Sequence, residues 1–212
     1  MKVIIAAAGT GGHINPGIAI ANKIKSEDKD AEITFVGTTR GLENDLVPRA
    51  GYDLKTIDAY GISRKISFKN IVNMIKTLKS FREAKKIVRD INPDIVIGTG
   101  GYICGPVLTE AIKKKIPTML HESNSYPGVS VRLLSKKVNT VAVGFEDTVA
   151  RLPKAKHIVV TGNPVNVGAT CGRPRATCGR PYRIAASPSI WRQPGSKIHK
   201  RSINKNNKRK IK

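Results

Sequence analysis

Short apolar runs alternate along this chain with longer segments whose apolar residues recur every three or four positions. The apolar runs predict strands over residues 2–5, 32–37, 53–59, 94–97, 117–120, 138–143 and 157–161. The periodic segments between them predict helices, of which the longest covers residues 69–90. This alternation is typical of a parallel sheet with helices on both faces. The sequence therefore predicts one Rossmann-like α/β domain over residues 1–165.

The first strand runs into a glycine-rich turn, Gly9-Thr10-Gly11-Gly12-His13. A helix is predicted to follow, with Pro16 at its first position. Glycines let backbone N–H groups approach a ligand, and the positive end of the helix points at the same place, so the turn predicts a phosphate-binding loop. A helix N-terminus disfavours imidazolium, so His13 is expected to be neutral and able to accept a proton. The alternative is that His13 only caps the helix or packs.

Two common classes of phosphate-binding protein are disfavoured by the residues around this turn. Ile14 stands where a dinucleotide-binding loop has its third glycine, and Thr38 and Thr39 follow the second strand in place of an acid. Ile18-Ala19 replaces the Lys-Ser/Thr pair of a P-loop. The sequence therefore predicts neither a nicotinamide enzyme nor an NTPase.

Two further strand ends carry glycines or polar residues. The fourth strand is predicted to run into a second glycine turn, Gly98-Thr99-Gly100-Gly101-Tyr102, and His121-Glu122-Ser123-Asn124 follows the fifth. Because parallel strands end at one sheet edge, all these segments are expected to meet, and both glycine turns would offer backbone donors to a diphosphate. Asn124 could bind a hydroxyl or amide, and Glu122 could orient a sugar or a catalytic group. Either could equally cap the helix near residue 127.

The helix predicted over residues 69–90 has a strongly basic outer surface. Its apolar residues Met74, Leu78 and Phe81 lie among basic residues that include Lys79 and Arg82. Such a face can lie on an anionic bilayer surface. The alternative, which this segment alone favours, is an ordinary solvated helix face.

The formal net charge of +23 is unevenly distributed over the 212 residues. Of the 38 basic residues, 13 lie in residues 166–212, which contain no acid, so the first 165 residues hold 25 basic and all 15 acidic residues. Residues 166–212 lack apolar periodicity and are predicted to form a disordered basic tail. The tail is interpreted either as an arm for nucleic acid or anionic lipid, or as the product of a shifted reading frame, which its composition favours.

The three cysteines are odd in number and lack metal-binding spacing. This usage is typical of a reducing cytoplasm and predicts no disulfide framework. No metal or cofactor is expected. No apolar run has the length of a spanning helix or the form of a signal peptide.

Four motifs together resemble one known family. These motifs are Gly9-Thr10-Gly11-Gly12-His13 with Pro16-Gly17, Gly98 to Tyr102, His121 to Asn124, and Gly162-Asn163-Pro164-Val165. In order and spacing they resemble the MurG family, the bacterial N-acetylglucosamine transferases of peptidoglycan assembly. The resemblance covers residues 1–165, the amino-terminal domain of that family's GT-B fold. It implies a peripheral protein on the cytoplasmic face of the plasma membrane.

The resemblance also implies a reaction and roles for individual residues. The reaction is inverting transfer of N-acetylglucosamine from UDP-N-acetylglucosamine to undecaprenyl-diphospho-muramoylpentapeptide (lipid I), which gives lipid II. Thr10, Gly11, Gly12 and Asn124 match donor-contacting positions. The turns Gly9–His13 and Gly98–Tyr102 would cradle the acceptor diphosphate. His13, alone or with Glu122, would serve as the base for the acceptor hydroxyl.

One departure from the family leaves other classes open. Asn166 stands where the family has a donor-contacting Arg, and no second sheet domain follows it in this sequence. The chain alone is therefore expected to transfer little or no sugar. A non-catalytic acceptor-binding module with a separate donor subunit, and a nucleic-acid binder acting through the basic tail, are the alternatives, the last being the least favoured.

Overall fold

A computed structural model describes residues 1–59 and 68–165, and within the third helix it describes side chains from residue 79 onward. The predicted tail, 166–212, lies outside the described residues, as do the side chains of Met74 and Leu78. The strands are β1 (Lys2–Ala7), β2 (Glu32–Thr38), β3 (Asp53–Ile57), β4 (Ile95–Gly100), β5 (Thr118–Glu122), β6 (Thr140–Val143) and β7 (Ile158–Val160). The helices are α1 (Gly11–Glu27), α2 (Glu43–Arg49), α3 (Phe68–Ile91), α4 (Cys104–Lys113), α5 (Val129–Leu134) and α6 (Asp147–Ala150).

The seven strands of the described residues form one parallel sheet in the order β3-β2-β1-β4-β5-β6-β7. The first strand lies inside the sheet, where Val3 pairs with Ile33 on one side and with Ile95 on the other. Strands β2 and β3 lie on one side of β1, and β4 to β7 lie on the other side, so the order in which strands are added reverses between β3 and β4. The doubly wound parallel sheet predicted from the alternating pattern is thereby confirmed.

Alternate residues of β1 belong to two separate apolar cores. Val3 and Ile5 pack with residues of α1 and α2, whereas Ile4 and Ala6 pack with residues of α3, α4 and α5. Since successive side chains of a strand point to opposite faces, an apolar run without polar interruptions requires cover on both faces. Helices therefore cover both faces of the sheet, as predicted. Among the described residues, no helix is both long and apolar enough to cross a bilayer.

The first helix begins at Gly11, so the prediction that Pro16 occupies its first position is wrong. The Thr10 carbonyl already accepts hydrogen bonds from the amides of His13 and Ile14, at 3.0 and 3.2 Å. Pro16 lies in the second turn, where its missing N–H removes only the bond to the Gly12 carbonyl. His13 consequently lies in the first helical turn.

Gly98 lies within β4, so the predicted boundary between strand and glycine turn is also wrong. A Cβ at Gly98 would lie 2.7 Å from Leu108 Cδ1 and 3.0 Å from Cys104 Sγ, so glycine is needed here for close packing of α4. The buried Cys104 thiol donates to the Gly100 carbonyl at 3.2 Å. Burial raises the pKa of Cys104 to about 12, so this thiol stays protonated and packs as an apolar group.

Candidate functional site

A cleft of about 560 Å³ opens at the carboxyl edge of the sheet. The lining residues come from the first two turns of α1 with Thr10 before it, and from the loops after β5 and β7: Thr10, Gly11, Gly12, His13, Asn15, Pro16, Ser123, Asn124, Asn163 and Pro164. The structure thus brings together the first glycine turn and the Ser123-Asn124 segment, as the sequence predicted. Ligands of open α/β sheets bind at this edge.

The amides of Gly11 and Gly12 are the anion-binding groups of the cleft. Thr10 precedes α1 in an extended conformation, and its side chain makes no capping hydrogen bond. Within the described residues, the Gly11 and Gly12 amides have no hydrogen-bond partner. Such unpaired amides at a helix N-terminus, aligned with the helix dipole, favour a phosphate.

Gly9 contributes to the turn through its conformation rather than as a ligand donor. Its φ of +96° lies in the region that favours glycine. Its N–H donates to Glu43 Oε2 at 3.0 Å, so the amide is already bound within the protein. The predicted cradle therefore lacks this donor.

Glu43 is a buried carboxylate beside the turn that no sequence motif indicated. It is 0% exposed, and its Oε1 accepts hydrogen bonds from Thr38 N and Thr38 Oγ1, both at 2.7 Å. Burial raises the pKa of Glu43, but the hydrogen bonds from Thr38 and Gly9 outweigh it, and the pKa lies below its ordinary value. Glu43 is therefore ionised at neutral pH.

The position of Glu43 shows that the prediction of no acid at the end of the second strand is wrong. An acid does lie at the end of β2, but it comes from α2, five residues beyond Thr38. Because both of its oxygens accept hydrogen bonds from the protein and it is fully buried, it is not available to a ribose. Glu43 therefore does not serve as the ribose-binding acid of a dinucleotide site.

The second glycine turn supports His13 and does not line the cleft. Gly100 has a φ of +126°, and a Cβ there would overlap the His13 imidazole. Thr99 Oγ1 donates to the His13 carbonyl at 2.7 Å. Gly101, with φ +81°, packs so closely that its Cβ would lie 2.7 Å from the Ala8 carbonyl oxygen. Tyr102 is 40% exposed, and among the described residues the cleft lining includes none from this turn.

His13 is half-buried in the cleft wall. Among the described lining residues, it is the one with an imidazole, a side chain that enzymes commonly use as a general base. Its main chain is held by Thr99 and its ring lies against Gly100. The position fits the predicted role of a base, which stays a prediction.

Glu122 organises the loop after β5. It is 3% exposed, and its Oε1 accepts hydrogen bonds from Asn124 N and Asn124 Nδ2, both at 2.8 Å. Its Oε2 accepts from Gly128 N at 2.9 Å, directly before α5. Of the predicted roles, the geometry fits capping at the start of α5, and Glu122 also orients Asn124, a role that was not predicted. Asn124 itself is exposed at the cleft.

The far wall of the cleft contains Asn163 and Ser123, which were not singled out as site residues. Asn163 Nδ2 donates to the Ser123 carbonyl at 3.1 Å and so joins the loops after β5 and β7. The sequence predicted only a hinge for the Gly162-Asn163-Pro164 segment. Its place at the end of a parallel strand was the signal for a site at this edge.

His121 lies beneath this wall and is 1% exposed. Its Nε2 lies 3.4 Å from the Gly162 carbonyl, and its Nδ1 lies 3.4 Å from Ser123 Oγ. A carbonyl only accepts, so Nε2 carries the proton and Nδ1 accepts from the serine hydroxyl. Burial lowers the pKa of His121 below its ordinary value of 6.5, although the Gly162 carbonyl and Glu122 oppose this. The imidazole is therefore neutral.

The lowered pKa of His121 makes stability depend on pH. Below pH 6.5 the unfolded chain binds a proton that the folded protein resists, so the free energy of unfolding falls as the pH drops toward the lowered value. One proton contributes at most about 1.4 kcal/mol per pH unit. We expect His121→Gln to flatten this slope in urea unfolding between about pH 5 and 7, whereas the exposed His157→Gln keeps it. Equal slopes in wild type and His121→Gln would contradict the assignment.

The side chains of α3 that the structure describes retain a basic outer face. Lys79 and Arg82 are exposed, and Phe81 is half-buried. Glu83 Oε1 lies 3.6 Å from Lys79 Nζ, so this lysine is paired with an acid. The predicted membrane-docking surface is therefore described only for these three of its five residues.

The chain is similar to known glycosyltransferases. A model of the glycosyltransferase family 28 N-terminal domain matches residues 3–143. A protein of Caldanaerobacter subterraneus subsp. tengcongensis called UDP-N-acetylglucosamine--N-acetylmuramyl-(pentapeptide) pyrophosphoryl-undecaprenol N-acetylglucosamine transferase is 52% identical over 165 residues, 78% of this chain and 45% of that protein. The protein of the same name from Ruminiclostridium cellulolyticum is 53% identical with the same coverage. The chain thus spans about half the length of these curated relatives.

The chain is also similar in fold to solved structures. The crystal structure of Acinetobacter baumannii MurG superposes with a TM-score of 0.63 at 28% identity, over 78% of this chain and 46% of that chain. A complex of Staphylococcus aureus MnaA with UDP superposes with a TM-score of 0.57 over 77% of this chain and 44% of that chain, at 18% identity, which shows a shared fold. The family resemblance drawn from the four motifs is confirmed.

Proposed function

The chain belongs to glycosyltransferase family 28, and from that premise we propose that it is the acceptor-binding part of an N-acetylglucosamine transferase of peptidoglycan synthesis. The observation that carries the proposal is the cleft at the sheet edge, where the Gly11 and Gly12 amides and His13 face Asn124 and Asn163. Unpaired amides suit a diphosphate, and amide side chains suit sugar hydroxyls. Both substrates of the relatives' reaction contain a diphosphate and a sugar.

The proposed reaction transfers N-acetylglucosamine from UDP-N-acetylglucosamine to lipid I. The acceptor hydroxyl oxygen bonds to the anomeric carbon of the donor sugar, the bond from that carbon to the UDP oxygen breaks, and UDP leaves with the bonding electrons. The hydroxyl proton passes to His13, which is held against Gly100 in the cleft wall. Glu122 acts in this scheme through Asn124, to which it is hydrogen-bonded.

The experiment that tests the cleft removes the amide proton of Gly11 by substituting proline. Gly11 is the first residue of α1, the position where proline is best tolerated, and Thr10 before it is extended, as a residue preceding proline prefers. We expect Gly11→Pro to weaken binding of a soluble, short-chain lipid I analogue about tenfold or more, because a charge-assisted hydrogen bond contributes about 1.5–3 kcal/mol. Isothermal titration calorimetry of the 212-residue chain measures this.

The matched control is Gly11→Ala, which adds a similar Cβ but keeps the N–H. A Cβ at Gly11 meets only Asn15 Nδ2, at an ordinary 3.5 Å. We expect this variant to bind within about threefold of wild type. Equal affinities of the proline and alanine variants would show that the Gly11 amide does not bind the diphosphate, and no binding by wild type would refute the site.

We further propose that the domain docks on the cytoplasmic face of the plasma membrane through α3. The support is the exposed Lys79 and Arg82 beside Phe81. Reversing both charges, by Lys79→Glu with Arg82→Glu, is expected to weaken binding to vesicles rich in phosphatidylglycerol, measured by sedimentation, by about thirtyfold or more, since each of the two basic residues contributes about 1 kcal/mol near such a surface. Reversal of Lys113 and Lys114, at the carboxyl end of α4, is the control, and equal losses would contradict a specific role for α3.

A further inference from the structure

The side chain of Glu43 is closely surrounded by the loop between β2 and α2. A Cβ at Gly37 would lie 2.5 Å from Glu43 Cγ, and a Cβ at Gly41 would overlap the carboxylate oxygens. Asn44 Nδ2 closes the same loop by donating to the carbonyls of Thr38 and Gly41, both at 2.9 Å. The missing Cβ atoms of Gly37 and Gly41 therefore leave the space that the Glu43 side chain fills, and the Asn44 side chain holds the loop around it.

The enclosed carboxylate connects the ends of two neighbouring strands. One oxygen accepts from Thr38 at the end of β2, and the other accepts from Gly9, two residues after the end of β1. Gly9 is also the residue with φ +96° from which the chain turns into Thr10 and α1. The carboxylate thus holds the backbone position from which the chain turns toward the Gly11 and Gly12 amides.

The charge of Glu43 is unfavourable for the ligand that this turn is suited to bind. A carboxylate close to an anion site repels a phosphate, and burial makes such repulsion stronger than in water. By charge alone, neutralising Glu43 would tighten anion binding. The arrangement favours an anion only if the geometry that the carboxylate imposes on the turn outweighs its repulsion.

We propose that Glu43 is the positioning residue of the first glycine turn: its carboxylate holds the Gly9 amide and thereby presents the Gly11 and Gly12 amides to a ligand diphosphate. The part that concerns the ligand rests on the proposed function of the cleft. The part that concerns Gly9 does not. In this arrangement the Glu43 carboxylate accepts from the Gly9 amide inside the protein. The ligand diphosphate accepts from the Gly11 and Gly12 amides at the start of α1.

The variant Glu43→Gln tests the proposal without changing the shape of the side chain. Its single amide oxygen replaces Oε1, where two donors of Thr38 converge, so its NH2 faces the Gly9 N–H and that hydrogen bond is lost. In the wild-type 212-residue chain we expect the Gly9 amide to exchange with deuterium about tenfold more slowly than those of Gly11 and Gly12, relative to intrinsic rates. In Glu43→Gln the Gly9 amide should exchange about tenfold faster while the Thr38 amide stays within about threefold.

The second measurement is affinity for inorganic pyrophosphate, at a temperature where both proteins are folded. Positioning predicts that Glu43→Gln binds about tenfold more weakly, whereas a purely electrostatic role predicts tighter binding and a purely structural role predicts no change. The matched control is Glu110→Gln, a carboxylate on α4 that is also buried, at 5% exposed, and bonds Lys113. It should leave the exchange of Gly9 and the affinity within about twofold.

The outcomes separate this proposal from the proposed function. Equal or tighter pyrophosphate binding by folded Glu43→Gln overturns the positioning role, and so does unchanged exchange at Gly9. If wild type binds no pyrophosphate, the function of the cleft is refuted, and the exchange of Gly9 still decides whether Glu43 holds the turn. If Glu43→Gln does not fold, the wild-type comparison decides: a Gly9 amide that exchanges as fast as Gly11 and Gly12 overturns the proposal.

Discussion

Gly100→Ala is expected to lower the free energy of unfolding by about 3 kcal/mol and to displace His13 from the cleft wall. Two costs act together. A φ of +126° is a conformation that alanine adopts only with strain, and the new Cβ would overlap the His13 imidazole. His13 cannot retreat freely, because its carbonyl is held by Thr99 Oγ1. Urea unfolding followed by circular dichroism measures the stability, and the imidazole NMR resonances of His13 report its displacement.

The control for Gly100→Ala is Gly105→Ala, five residues further along the chain. Gly105 lies in the first turn of α4, and a Cβ there meets nothing within 4 Å. Alanine is the better helix former, so this variant should be unchanged or up to about 1 kcal/mol more stable. Similar stabilities of the two variants would contradict the close contact between the second glycine turn and His13.

Glu122→Ala is expected to lower the free energy of unfolding by a similar amount, about 3 kcal/mol. The truncation removes the acceptor of three hydrogen bonds, two from Asn124 and one from Gly128 N. Asn124 is exposed and regains water, but its side chain loses the partner that orients it in the cleft. We therefore also expect faster deuterium exchange at the amides of Asn124 and Gly128, measured together with urea unfolding.

Glu110→Ala is the control for this variant, because Glu110 is nearly as buried but bonds one lysine at the surface. It should cost about 1 kcal/mol and leave exchange at Asn124 unchanged. If Glu122→Ala is no less stable than Glu110→Ala, the carboxylate of Glu122 is not what holds the loop, and its predicted role in catalysis becomes the better account of it.

Part of the candidate site could be predicted from local sequence. The turn from Gly9 to His13 and the segment from His121 to Asn124 follow apolar runs, and the ends of parallel strands share an edge. That rule needs only the strand pattern, so it placed these two segments together correctly. It could not tell which glycines bind a ligand and which serve packing, as at Gly98, because this depends on what lies opposite each glycine.

By itself, the sequence determined the class of the fold, the two covered faces of the sheet and the family, because apolar period and motif spacing are local properties of the chain. Only the tertiary structure decided what the buried carboxylates do. Glu43 meets Gly9 across 34 residues, and the wall at Asn163 meets Ser123 across 40. A hydrogen bond between residues so far apart leaves no period in the sequence, since folding alone brings its donor and acceptor together.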